Sequence, residues 1–221
     1  MPRHAPDATA DARGTRREQR FAAGRAQLLD AAEEVFGRKG FHDTTLKEVA
    51  ERAGFSVGSV YSFFASKEDL FGQIFVRRGG ELLAEMEAAV ADDADPLEQL
   101  HRLVDVEVGF FRRHPSFGLL SLRYANVTRL ATEAPADRPA AADYDRATKI
   151  HAEVFARGQR TGVLRDGDPD ALSRLFSGLV LSFQTLDPAV VQSGTARSAL
   201  SLDELHAVVT DAFAGARARR G

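Results

Sequence analysis

Between Phe41 and Leu70 the chain reads FHDTTLKEVAERAGFSVGSVYSFFASKEDL, and the punctuation of this stretch admits few folds. Thr45 followed by Glu48 is a capping box, in which the threonine oxygen accepts from a free amide of the first turn while the glutamate reaches back. Leu46, Val49, Ala50 and Ala53 then recur at helical spacing and mark one buried stripe. Gly54 comes just past them. A glycine there takes the left-handed conformation at no steric cost and turns the chain sharply. Ser56 can cap a second short helix, whose expected apolar side is Val57, Val60, Tyr61 and Phe64, and Ser66 with Asp69 opens a third in the same way.

Two such helices joined by a glycine turn have the form of a helix-turn-helix. The free side of the second, with Ser56, Gly58, Ser59 and Ser62, is small and uncharged. A helix of that kind can lie deep in a nucleic-acid groove, where backbone and hydroxyl groups meet base edges and phosphates.

Upstream of this unit stands LLDAAEEVFGRKGF, followed by TTLKEVAERAG, FSVGSVYSFF and SKEDL. In this combination the segment resembles the DNA-binding domain of the TetR/AcrR family: an apolar first helix ending at Gly-Phe, paired threonines, a serine opening the recognition helix, a Tyr-x-x-Phe and a Ser-Lys-Glu. The resemblance runs from Leu28 to Leu70, and no motif of comparable specificity lies beyond it. It implies an all-α, homodimeric, one-component transcription regulator, expected to be a repressor. The N-terminal three-helix helix-turn-helix domain would be joined by a long helix to a C-terminal helical domain for ligand binding and dimerisation. Ser56, Val57, Gly58, Ser59 and Ser62 would face the groove, and Thr45, Lys47, Tyr61 and Lys67 would hold phosphates. Lys67 falls in a first helical turn, where the helix dipole disfavours a cation, and the resemblance supplies the reason for it. Phe63 departs from the pattern, because many members carry histidine there; a phosphate contact from this position is not expected.

The expected organisation is a flexible basic arm over residues 1–20, the DNA-binding domain over 21–66, a connecting helix over 67–90, a ligand-binding and dimerisation domain over 91–215 and a tail over 216–221. Arg13, Arg16, Arg17, Arg20 and Arg25 make the arm basic, as a solvated tail or as an arm reaching DNA phosphates or the minor groove. Gly79-Gly80 interrupts the connecting pattern and reads either as a bend or as a break between two helices. Further helices are expected from Pro96 to His114, from about Phe117 to Leu130, from about Tyr144 to Arg160, from Pro169 to Leu186 and after Ser201, with a loop over 134–142. In proteins of TetR type the last two long helices pair with their twofold mates; burial within one subunit fits the same pattern.

The net charge of -3 does not argue against a nucleic-acid partner, since a local basic face decides binding. With no cysteine there is no disulfide framework or thiol site, and a reducing cytoplasmic compartment is the expectation. No signal peptide or membrane anchor is expected, because no uncharged run approaches the roughly 20 residues a spanning helix needs. Asp92, Asp93 and Asp95 read as a loop before a helix rather than a metal site, the six histidines show no ligand spacing, and neither a nucleophile elbow nor a phosphate-cradling glycine loop is present. No enzyme, cofactor or metal is therefore expected. For the C-terminal aromatic material a plain core is the expectation at most positions. A ligand pocket would draw on Phe110, Phe111, Arg123, Tyr124, Asn126, His151, Phe155 and Phe176, for a small-molecule effector. Two other readings stay open: a DNA-binding protein on this scaffold answering to a protein partner or to nothing, and a helical binding module or enzyme that retains a helix-turn-helix.

Overall fold

The computed structural model describes residues 8–125, 137–191 and 200–216, and among them every regular element is helical. The helices are α1 (Ala8–Lys39), α2 (Leu46–Ala53), α3 (Val57–Val60), α4 (Lys67–Ala89), α5 (Pro96–Arg113), α6 (Pro115–Ala125), α7 (Asp137–Thr161), α8 (Pro169–Leu186) and α9 (Leu202–Phe213). The chain forms two compact units, Met1–Phe71 and Gly72–Gly221, and the boundary falls within α4. No helix of the described residues is long and apolar enough to cross a membrane.

In the first unit, Leu28, Leu29, Ala32 and Phe36 of α1 are buried with Val49 and Ala53 of α2 and Phe71 of α4. Phe36 meets Phe71 edge-on with ring centroids 5.0 Å apart. Polar ties fix α2 against α1: Gln27 donates to the Ala53 carbonyl at 2.8 Å, and Arg52 Nε donates to Glu34 at 2.7 Å. The expected arm is helix from Ala8 onward, so residues 8–20 correct that reading. Ala, Arg, Gln and Glu are strong helix formers without any apolar periodicity, which is why a search for a buried stripe passes over them.

The second unit packs α5 between α6, α7, α8 and α9. Leu100, Val104, Val108, Phe155, Phe176, Val180, Val209 and Phe213 form its core, each side chain contributing roughly 1.5–3 kcal/mol by leaving water. The acidic loop before α5 is structural. Asp95 caps the helix by accepting from Leu97 N at 2.9 Å, Arg102 donates to Asp92 at 2.7 Å, and buried Gln99 donates to the Asp92 carbonyl at 2.7 Å. After α9 the chain returns to the turn behind α7 through an isolated bridge between Leu164 and Ala214. Gly215 is required there, because a Cβ would lie 2.6 Å from the Gly162 carbonyl oxygen.

α4 runs unbroken through Gly79-Gly80, so of the two readings of the glycine pair the break into two helices is not the one observed. Two helix starts differ from expectation. α7 begins at Asp137, inside the expected loop over 134–142; Pro139 falls in its first turn, where a missing N–H leaves no intrahelical bond unmade. α6 begins at Pro115 rather than Phe117, and the expected continuation to Leu130 lies outside the described residues.

Candidate nucleic-acid interface and ligand cavity

The turn between α2 and α3 is built as its residue types require. Thr45 accepts from Glu48 N at 3.3 Å while Glu48 accepts from Thr45 N at 2.9 Å, which completes the capping box. The Lys39 ammonium, donating to Glu48, together with the Thr45 bonds holds this carboxyl down at about 2. Gly54 has φ 72°, and Phe55 N then donates to the Ala50 carbonyl at 2.8 Å. That six-to-one bond closes the end of α2 and directs the chain into α3.

α3 is shorter than expected, four residues prolonged by turns through Phe64. Ser56 caps it by accepting from Ser59 N at 3.1 Å. Val60 and Phe64 are buried, whereas Val57 is 38% and Tyr61 58% exposed. The apolar side expected for this helix is therefore narrower, and Val57 and Tyr61 join Ser56, Gly58 and Ser62 on its open face. Nothing crowds this face at its centre: a Cβ on Gly58 would meet only Ser56 Oγ, at 3.8 Å. Thr45 and Lys47 are exposed at the start of α2, where Lys47 lies 3.8 Å from Glu51.

Lys67 is held in place. Its ammonium donates to the Thr44 carbonyl at 2.8 Å and lies 4.3 Å from the centre of the Phe41 ring. An ammonium has three donors, so one bond to Thr44 leaves others for an incoming acceptor. Phe63, where a histidine was the pattern, is spent on packing: it stacks on Phe21 at 4.6 Å and meets Phe55 edge-on at 6.0 Å. Sequence reasoning missed Phe21 in this role. Its only signal was an isolated aromatic in a polar, basic stretch.

The second unit contains a cavity of about 340 Å³. α4 contributes Phe75, Gly79, Leu82 and Leu83; α5 contributes Glu107 and Phe111; α6 contributes Phe117, Ser121 and Tyr124. The remaining wall comes from Asp143, Tyr144, Asp145, Ala147 and His151 of α7 and from Ser177, Leu181 and Gln184 of α8. Of the expected ligand residues, Phe111, Tyr124 and His151 meet here. Phe110, Phe155 and Phe176 are fully buried core and do not line the cavity, Arg123 is exposed, and Asn126 lies outside the described residues. His151 is fixed from both ring nitrogens, Nε2 at 2.9 Å from Glu107 and Nδ1 at 3.1 Å from Ser177. Burial pushes the Asp143 carboxyl up, with the Arg146 charge opposing in part. Among the described residues no group of acidic, histidine or cysteine side chains is arranged to hold a metal ion.

A family model described as bacterial regulatory proteins, tetR family, matches residues 28–74, the stretch that holds α2, α3 and the start of α4. The match lies in this stretch, whose motifs are those of the tetR family. The chain is 53% identical over 49 residues to the uncharacterized HTH-type transcriptional regulator YfiR of Bacillus subtilis, a match spanning 22% of the chain and 24% of that relative. The chain spans less than half the length of the curated relatives it matches. Its fold extends further. A transcriptional regulator from Saccharomonospora viridis, solved in complex with choline, superposes over 86% of the chain and 95% of its own, with TM-score 0.70 and 24% identity. AibR, solved in complex with isovaleryl coenzyme A and operator DNA, covers 85% and 97% at TM-score 0.68 and 18% identity. The relatives and structural neighbours are transcriptional regulators rather than enzymes.

Proposed function

We propose that this chain is a ligand-responsive DNA-binding regulator, acting as a repressor, that binds a roughly palindromic operator as a homodimer. The observation that carries the reading is the open face of α3, with Ser56, Val57, Gly58, Tyr61 and Ser62 exposed and Ser59 half-buried beside them, presented by a capped, glycine-turned pair of helices. Small side chains there permit close approach of the helix to base edges in a major groove. Thr45, Lys47, Tyr61 and Lys67 are the phosphate contacts, and they set register and affinity rather than sequence choice. Two recognition helices related by a twofold axis then require half-sites about 34 Å apart or somewhat more.

The cavity supports a small-molecule effector, and the neighbours solved with choline and with isovaleryl coenzyme A plus operator DNA are in keeping with it. A regulator answering only to a protein partner, or to nothing, would need no such space in its second unit. For the homodimer, Leu175 and Leu186 on α8 and Val208 on α9 are exposed large apolar side chains, and a Cβ on Gly178 between the two leucines would meet nothing.

Selection of bound genomic fragments by the purified protein tests the proposal. The expected result is enrichment of a small set of fragments sharing an inverted repeat. Recovery of random DNA at physiological salt would contradict it.

A further inference from the structure

The cavity has a chemical bias that narrows its ligand, taking it to be the effector site of the proposed function. Phe75, Phe111, Phe117, Tyr124 and Tyr144 present aromatic rings to it. Phe75 meets Phe117 at 5.6 Å and Tyr124 at 6.4 Å, both edge-on, and Phe111 stacks on Phe117 at 5.8 Å. Rings packed on one another in this way form a stiff wall, and the face of an aromatic ring carries partial negative charge that attracts cations.

The polar part of the wall has the same sign. Glu107, Asp143 and Asp145 are its acidic side chains, and no lysine or arginine lines it among the described residues. Glu107 is engaged by His151. Asp143 differs. Its carboxyl lies flush against α4 where Gly79 has no side chain, so close that a Cβ at position 79 would overlap it. It is partly withdrawn from water, the Arg146 charge only partly opposes the rise that burial causes, and among the described residues no hydrogen bond to it accompanies that rise. A desolvated carboxyl without a compensating hydrogen bond is unfavourable in the empty protein and gains most from a ligand of opposite charge.

We propose that the cavity binds an organic cation, an apolar ammonium compound whose charged head is held between the aromatic wall and the Asp143 carboxylate. An anionic effector would face Asp143 and Glu107 with only His151 to meet it. A neutral apolar one would leave Asp143 uncompensated.

The probes are 3-hydroxyphenyltrimethylammonium, its neutral carbon isostere 3-tert-butylphenol and the anion 3-tert-butylbenzoate, titrated calorimetrically into the full-length chain without DNA. The cation is expected to bind about tenfold or more tighter than the isostere, and the anion not to bind. Asp143→Asn, an isosteric change, should abolish most of that preference by weakening binding of the cation. Tyr144→Leu, at a partly exposed position that the fold tolerates, should reduce it in part. Equal binding of cation and isostere, tighter binding of the anion, no binding of any probe, or a preference undiminished in both variants would overturn the proposal. Because DNA is absent, these outcomes are separate from success or failure in finding an operator.

Discussion

Lys67 shows how one side chain serves two purposes. Its bond to the Thr44 carbonyl and its place over Phe41 tie the start of α4 to the residue before the α2 cap. Lys67→Ala should therefore cost stability, about 1–2 kcal/mol for a charge-assisted bond and a cation–π contact, seen as a lower midpoint in urea. In the proposed complex the same change removes one phosphate contact and should reduce the slope of log affinity against log salt by about one unit. An unchanged slope would confine the residue to its structural role. Glu48 carries a pH signature. Its pKa falls from 4.5 to about 2 on folding, so the stability it lends α2 is complete above pH 4.5 and is lost as pH falls toward 2. Glu48→Gln keeps a group able to complete the capping box but cannot titrate, and it should flatten the acid limb of the unfolding curve in that window. An acid limb identical to that of the unmutated protein would remove Glu48 from this account.

At the scale of elements, helices that announce themselves by caps and buried stripes were legible. The Thr45–Glu48 box begins α2, and α5, α8 and α9 start at Pro96, at Pro169 and directly after Ser201, as the residues indicate. The early turns of α1 were not legible, since an Ala- and Arg-rich run leaves no apolar period to read. The start of α7 was hidden by Pro139, which breaks a helix interior but not a first turn. Gly79 left two readings open for a different reason: its missing side chain makes room for Asp143 on α7, a contact between distant segments that local propensity does not reveal. The cavity was half legible, because Phe111, Tyr124 and His151 line it while Phe110, Phe155 and Phe176 fill the core; helical periodicity identifies an inward face but not whether another side chain fills the space opposite. The packing of Phe63 on Phe21 predicts that Phe63→Ala will loosen the first turns of α1. Amide exchange over residues 16–25 should accelerate about tenfold while α2 is unchanged; equal protection in the variant would mean that α1 holds itself.

For the whole molecule, the proposed dimer and the proposed switch stand on separate observations. The exposed stripe with Leu175, Gly178 and Leu186 on α8 is the expected seam between copies. Leu175→Glu would place a charge in that seam, and sedimentation should then show a monomer at micromolar concentration where the parent chain is a dimer; a parent chain that is itself a monomer would end the two-half-site account. By linkage, whatever factor an effector takes from operator affinity, the operator must take from effector affinity. The central claim, that the α3 face reads DNA, is tested most directly by fluorescence anisotropy of a selected operator fragment against Gly58→Trp. Position 58 has open space, so the variant should fold with unchanged helical circular dichroism. The prediction is that it loses specific operator binding, by at least about a hundredfold for a helix kept out of its groove. Undiminished specific binding by the folded variant would contradict the account.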